Sequence, residues 1–239
     1  MAREDPLWAV LSAPDKRGGR WELEEFLETG RETVDTVLDQ LHDLGLDPAA
    51  APDVALDFGT GVGRLAQALA RHFGEVHGVD IAESMVAEAD RINRFPDRVH
   101  YHHNREPDLA LFPDGSFGLV LSHLVLQHMP VPAAERYLAE FARVLAPGGV
   151  LVVQIPVGQV RRGARLGPES LPPAVRTLLL RARMAVTGRP GMEMHVIDRA
   201  AVDALLSGAG MRVVSYQDRV SGAWRTAHYV AERLPVRSS

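Results

Sequence analysis

The chain has 239 residues, 46% hydrophobic and 24% charged, with a formal net charge of −5 and no cysteine. That length can bury one sizeable core with appendages, and the composition is that of a soluble globular domain. Disulfides, thiolate metal centres and cysteine nucleophiles are excluded; there is no global basic face for nucleic acid, no apolar run of membrane-span length and no basic-then-apolar leader pattern at the start, so a cytoplasmic protein is expected.

In chain order, residues 1–20 are polar and rich in Pro and Gly, with Trp8 among them, and read as a loose arm. Trp21 to Glu28 reads as a short helix interrupted by Gly30, and Arg31 to Leu44 as a second helix with Val34, Val37, Leu38, Leu41 and Leu44 on one face. The apolar run Val54, Ala55, Leu56 ends at Asp57 and is followed by the turn Gly59-Thr60-Gly61-Val62-Gly63. Apolar residues then recur at helical spacing, Leu65, Leu69 and Phe73, until Gly74. This is strand, tight loop, helix: glycines allow close backbone approach, and a helix N-terminus offers unpaired N–H groups to an anion.

A second strand, Glu75 to Asp80, ends in another acid, and a helix carrying Met85, Val86, Ala89 and Ile92 follows. Further strands are expected near Arg98 to His103, Phe117 to Ser122 and Val150 to Ile155, with a helix from Pro132 to Leu145 before the last of them. Residues 156–196 break the rhythm, with Arg161, Arg162, Arg165 and three prolines before an apolar helix at about Ala174 to Val186. Asp198 can cap a helix with Val202, Leu205 and Leu206 buried, and strands at about Met211 to Gln217 and Trp224 to Glu232 close the chain. Alternating strands and helices predict an α/β fold, a mostly parallel sheet covered on both faces.

The spacing of the glycine turn narrows its ligand. A dinucleotide fingerprint needs G-x-G-x-x-G, but here the third glycine comes one residue early, at Gly63, before Arg64; a P-loop needs a Gly-Lys-Ser/Thr ending, which is absent. Asp80, at the end of the neighbouring strand, suits a ribose diol, since a carboxylate accepts two hydroxyl hydrogen bonds.

The stretches LDFGTGVGR, VHGVDIAESMV, FPDGSFGLVLSHLVLQH and ARVLAPGGVLVVQIP, in this order over residues 50–156, resemble the class I S-adenosylmethionine-dependent methyltransferases, most closely their small-molecule, secondary-metabolite branch. The resemblance implies a Rossmann-like class I methyltransferase fold with a seven-stranded, mostly parallel sheet. It divides a single domain into an N-terminal arm and lid (1–46), a cofactor-binding core (50–156), a cap insertion after strand five (157–196) and a C-terminal helix with edge strands (197–239). It implies S-adenosyl-L-methionine as cofactor and S-adenosyl-L-homocysteine as product. Asp57, Phe58, Gly59, Thr60, Gly61 and Gly63 then pass beneath the methionine and ribose. Asp57 holds the amino group, directly or through water, or else only caps the turn. Asp80 takes the ribose hydroxyls. Ile81 and Met85 pack on the adenine or belong to the core. Asn104 reads the adenine amino group, with Asp108 competing for that role, and Ser122, His123 and Leu124 line the cleft beside the sulfonium. Gly118 stands where the family usually has aspartate. Trp21, Phe26 and Arg31 form the lid, with Arg31 near the methionine carboxylate, or else they only pack and solvate ordinary helices.

Methyl transfer is an in-line displacement in which the protein mainly aligns nucleophile, carbon and sulfur. A general base helps a hydroxyl or charged-amine acceptor, and His128, His123 and His195 are the candidates; a reaction without a base remains open. His100 and His102 share one strand face beside His103, but no further converging ligand is visible and no metal is expected. The expected activity is methyl transfer to an O or N atom of a small organic acceptor in secondary metabolism, without nucleic-acid or membrane partners; the oligomeric state is left open, a homodimer included. Two alternatives stand beside it. One is a protein of this fold that binds the cofactor but catalyses a non-methylating reaction such as cyclisation, and the other is a methyltransferase for protein or RNA.

Overall fold

The computed structural model describes residues 5–11, 14–16, 18–48, 51–159, 194–221 and 224–235. Seven strands form one sheet: β1 Val54–Phe58, β2 Glu75–Asp80, β3 Val99–His103, β4 Phe117–Ser122, β5 Leu145–Gln159, β6 Met211–Ser221 and β7 Trp224–Arg233, in the spatial order β3-β2-β1-β4-β5-β7-β6. β1 pairs in parallel with β2 and β4, β2 with β3, and β4 with β5; β7 runs antiparallel between β5 and β6. The chain therefore starts in the middle of the sheet, winds to one edge, returns across β1 and winds to the other. That reversal makes the carboxyl ends of β1 and β4 a topological switch point, the place where open α/β sheets bind ligands.

Each face of the sheet is buried under its own apolar cluster. One holds Leu56, Phe58, Phe117, Val120, Leu138, Phe141 and Tyr229 under α5, Val131–Val144. The other holds Ala55, Leu69, Leu119, Leu121, Val152 and Val230 under α2, Leu23–Asp43, and α3, Arg64–Leu69; α4, Glu83–Arg91, connects β2 to β3. Central strands such as β4, buried at every position, read as continuous apolar runs because both faces are covered. The helix predicted after Asp198 is present as α6, Arg199–Gly208, and Asp198 Oδ2 accepts from the amides of Ala200 and Ala201 at 2.9 and 3.3 Å.

Several boundaries differ from the sequence reading. The arm is not wholly loose: α1, Pro6–Val10, buries Trp8, and Asp5 Oδ2 accepts from Gly18 and Gly19 at 2.7 and 2.9 Å. The two N-terminal helices are the single helix α2, with Trp21 just before it. Gly30 does not break that helix. It lies inside it because a Cβ there would sit 2.4 Å from the backbone oxygen of Arg64, so Gly30 is where α2 crosses α3. β5 begins earlier and ends later than expected, at Leu145 and Gln159. Residues 104–116, between β3 and β4, form no helix. They are held to α5 instead: Arg143 Nη2 donates to the Leu109 carbonyl and Nη1 to that of Phe112, both at 3.0 Å, and Glu140 Oε2 accepts the Leu109 amide at 2.8 Å. The helix expected near residues 174–186, and with it most of the cap, lies outside the described residues. Among the described residues no helix is long and apolar enough to cross a membrane.

Candidate active site

The glycine turn begins where β1 stops hydrogen-bonding as a strand. Gly59, Gly61 and Gly63 have φ of 78°, 56° and 80°, a region side chains resist. The turn is folded against its own neighbours. A Cβ on Gly59 would lie 2.2 Å from Val125, one on Gly61 2.7 Å from Val10, and one on Gly63 2.0 Å from the Tyr101 hydroxyl. The amides of Gly59 and Thr60 both donate to the Val79 carbonyl, at 2.8 and 3.0 Å.

The helix N-terminus beyond the turn does not present the open anion site that the sequence suggests. Asp57, 1% exposed, fills it: its Oδ2 accepts the Ala66 amide at 3.0 Å and the Thr60 hydroxyl at 2.7 Å. Burial pushes the Asp57 carboxyl up to about 6, against the pull of the Thr60 hydroxyl and the Arg64 guanidinium. Of the two roles considered for Asp57, capping the turn is the one this geometry shows, because the carboxylate is enclosed and already bonded.

Asp80 differs from it. It is half-buried at the end of β2, Oδ2 accepts the Gly61 amide at 2.9 Å and Oδ1 the Ala82 amide at 2.8 Å. Each oxygen keeps acceptor capacity beyond the one amide it holds. Ile81 beside it is 70% exposed, a large apolar side chain left in water next to an acid that two amides hold in place. Met85 is buried with Phe26, Leu27, Val62 and Ile92, and Leu7, Val10 and Trp21 pack on that cluster. It is a core residue under the arm. Asn104 is committed to its own loop, donating to the Asp108 carbonyl at 2.6 Å and accepting the Glu106 amide at 3.1 Å.

The predicted lid residues divide. Phe26 is fully buried and meets Trp21 edge-on at 5.6 Å, and Trp21 Nε1 donates to the Leu11 carbonyl, so both tie α1 and α2 over the glycine turn. Arg31 is not brought to this cluster. Its guanidinium is paired with Glu28 and with Glu24 at 2.7 Å, which raise its pKa, and the groove it lines also holds Asp35, Arg71 and His72. The reason is helical spacing: Glu28 and Glu24 lie one and two turns back on the same exposed face.

The residue that does join α2 to the turn is one the sequence reading passed over. Arg64, 5% exposed, donates through Nη1 to the Thr29 carbonyl at 2.8 Å and to the hydroxyls of Thr29 and Thr33 at 3.3 and 3.2 Å. The signal was present as threonines four apart on α2, but nothing local connects them to a residue 35 positions away.

Beyond β4 the chain turns sharply. Leu124 has φ of 63°, a conformation costly for a leucine, and it leaves His123 aligned with the sheet and Val125 against Gly59. Burial, then the nearby Arg64 and His228, pulls the His123 imidazole down to about 4. His128 accepts from Gln127 Nε2 at 3.0 Å, and the His195 amide donates to the Gln127 carbonyl at 2.9 Å, so two of the three candidate bases flank one buried glutamine. Ser122 Oγ is buried without a hydrogen-bond partner. His228 on β7 lies beside His123, 6.4 Å away between ring centres. Alternation along WRTAHYVA puts it on one face with Thr226 and Val230, and it is the one histidine of that stretch, which was the available clue. His100 and His102 do share a face, as expected, and His77 joins them: His77 Nδ1 lies 2.8 Å from His102 Nε2 and His77 Nε2 3.0 Å from Glu75. Among the described residues no group of side chains could hold a metal ion.

Residues 56–153 match the methyltransferase domain family. A 2-methyl-6-phytyl-1,4-hydroquinone methyltransferase from Synechocystis sp. is 37% identical over 111 residues, 46% of this chain and 34% of that protein. A ubiquinone biosynthesis O-methyltransferase from Aromatoleum aromaticum is 31% identical over 140 residues, 54% of this chain and 58% of that one. The chain thus spans between about a third and three fifths of these relatives. A magnesium protoporphyrin IX methyltransferase from Synechocystis PCC 6803, solved with bound SAH, shares the fold with a TM-score of 0.60 at 21% identity, covering 95% of this chain and 92% of that one. Over residues 56–153 the chain thus matches the methyltransferase domain family, and it shares the fold of a solved methyltransferase.

Proposed function

We propose that the protein binds S-adenosylmethionine at the carboxyl ends of β1, β2 and β4 and transfers its methyl group to an O or N atom of a small organic acceptor, as a tailoring step of secondary metabolism in the cytoplasm. The observation that carries this reading is the contrast between the two strand-end acids. A dinucleotide would set its pyrophosphate on the N-terminus of α3, and Asp57 already occupies that position. Asp80 meanwhile holds one amide on each oxygen and leaves the remaining lone pairs for a ribose diol, beside an exposed Ile81 on which a base can lie. The donor set therefore suits an adenosyl group carrying a positive sulfonium and no phosphate.

The residues present fit that group. Asp80 would hold the ribose and Ile81 the adenine face, while the unpartnered Ser122 Oγ and His123 border the reacting end. When bound, the cofactor supplies a methyl group activated by positive sulfur. The chain's own contribution is alignment and exclusion of water: α1 and α2 close over the turn through Val10, Trp21 and Phe26, and Arg64 fixes α2 to it. The small acceptors named for the curated relatives favour a small molecule here over RNA or protein, and the net charge of −5 weighs against RNA.

Calorimetry with S-adenosylmethionine and S-adenosylhomocysteine tests the proposal. Both are expected to bind, and Asp80→Ala to weaken binding by a few kcal/mol, from two charge-assisted hydrogen bonds of roughly 1.5–3 kcal/mol each. An affinity unchanged in Asp80→Ala would show that the ribose lies elsewhere, and no binding of either compound would end the methyl-transfer reading. Cofactor held but never consumed while an acceptor is transformed would assign the cyclisation alternative.

A further inference from the structure

A polar row crosses the sheet at the acceptor end of the site. Gln154 on β5 pairs in register with His228 on β7, and His228 with Gln217 on β6. Ser122 pairs with Val153, so His123, one residue on, comes level with Gln154 on the same face. The two imidazoles approach to 6.4 Å above the intervening Gln154. Gln154 is 8% exposed, and its Oε1 is buried with no hydrogen-bond partner, an acceptor awaiting a donor. A guanidinium borders each end: Arg64 acts on His123, and Arg219, which donates to Gln217 at 2.9 Å, acts on His228. Burial and these cations keep both imidazoles neutral. Among the described residues the row contains no carboxylate.

We propose that His123, Gln154 and His228 are the acceptor-recognition strip, and that it takes a phenolic or enolic hydroxyl, making the protein an O-methyltransferase. This rests on the methyl-transfer reading and narrows it. The hydroxyl donates to Gln154 Oε1, which is thereby satisfied. A carboxylate acceptor has no proton to offer and would place its charge against that oxygen. An alkylammonium acceptor can donate, but it would bring a third cation between two guanidiniums with no counter-charge in the row. In the transfer the oxygen–carbon bond forms as the carbon–sulfur bond breaks, sulfur keeps the electron pair as a neutral thioether, and the hydroxyl proton is released to solvent.

The test uses the full chain with S-adenosylhomocysteine present and nitrocatechol as the probe, one hydroxyl of which stays protonated to donate while the other, ionised, gives the visible absorbance that is followed. Catechol is expected to displace the probe, whereas benzylamine and benzoate do not. Gln154→Leu is expected to weaken the probe by about tenfold, the ratio a single hydrogen bond commands. Gln154→Glu is expected to turn the preference towards benzylamine. Competition by benzylamine or benzoate equal to that by catechol overturns the proposal, as does unchanged probe affinity in a Gln154→Leu protein with native circular dichroism. The competition series on the unsubstituted protein decides the matter if either variant fails to fold. Loss of S-adenosylhomocysteine binding itself, measured separately by calorimetry, would instead refute the parent reading.

Discussion

Asp57→Asn should make the protein more stable at neutral pH, and the size of the gain follows from burial. The carboxyl of Asp57 sits at about 6 in the folded chain against an ordinary value of 3.8. A folded value above the unfolded one means that the folded state holds a proton the unfolded chain has released. The stability linked to this group is therefore complete below 3.8 and is lost as pH rises through 6. Over that interval, at about 1.4 kcal/mol per pH unit, the ionised acid costs up to about 3 kcal/mol at pH 7 and above. Asparagine keeps an oxygen for the Ala66 amide and the Thr60 hydroxyl at nearly the same size but never ionises. Urea unfolding of both proteins between pH 4 and 7.5 should show a stability gap that is small at the acid end and widens to a few kcal/mol in favour of the variant. A gap independent of pH, or one that widens towards acid, would refute the placement of Asp57 as an enclosed, desolvated cap.

Three further outcomes follow from the structure. Gly30→Ala should destabilise the fold by about 2–4 kcal/mol in denaturant titrations, since its Cβ would press on the Arg64 backbone oxygen at 2.4 Å and the two helices must part. Arg31→Ala should leave cofactor affinity unchanged in calorimetry and shift stability by less than about 1 kcal/mol, because its partners are surface carboxylates; a large loss of affinity would restore it to the site. His77 and His102 are both held below the ordinary histidine value, first by burial and then by their histidine neighbours. Their linked stability is present above the unfolded value near 6.5 and is lost as pH falls below it. His77→Phe, which keeps ring contacts to Phe112 and Phe117, should therefore lose less stability between pH 7 and pH 5 than the unsubstituted chain does.

What the sequence revealed and what it hid divide by distance along the chain. Strands β1, β2 and β4 and helix α5 are visible because their apolar runs and helical spacing are local and meet a covered sheet on both faces. Asp198 is visible as a cap for the same reason: its partners are two and three residues on. Gly30 misled because a helix-breaking residue was read without knowing what crosses it, and the crossing partner is in α3. Arg31 misled because its charge was assigned to a ligand before Glu24 and Glu28 on its own helix were considered. Gln154 and His228 were not singled out at all, since Gln154 is one polar residue in an apolar run, His228 is one of several polar residues on β7, and only the register across β4, β5 and β7 gathers them with His123.

The glycine turn shows how a correct motif can carry an incomplete reason. Its spacing identified the fold, yet the space each glycine saves is taken by the protein: by Val125 at Gly59, Val10 at Gly61 and Tyr101 at Gly63. Their positive φ values set a second, independent demand for glycine. An alanine at any of the three would therefore strain the backbone and displace a neighbour before a ligand was involved. Loss of binding in such a variant would say little about the cofactor. Asp80 is the better probe, because its carboxylate is half-buried at a strand end and removing it creates no clash, although the Gly61 and Ala82 amides also lose an acceptor. Comparing Asp80→Ala with Asp80→Asn separates the two effects: asparagine can still accept from one of those amides but cannot offer two charged acceptors to a diol. If the ribose is held as proposed, Asp80→Asn should recover stability more fully than it recovers affinity.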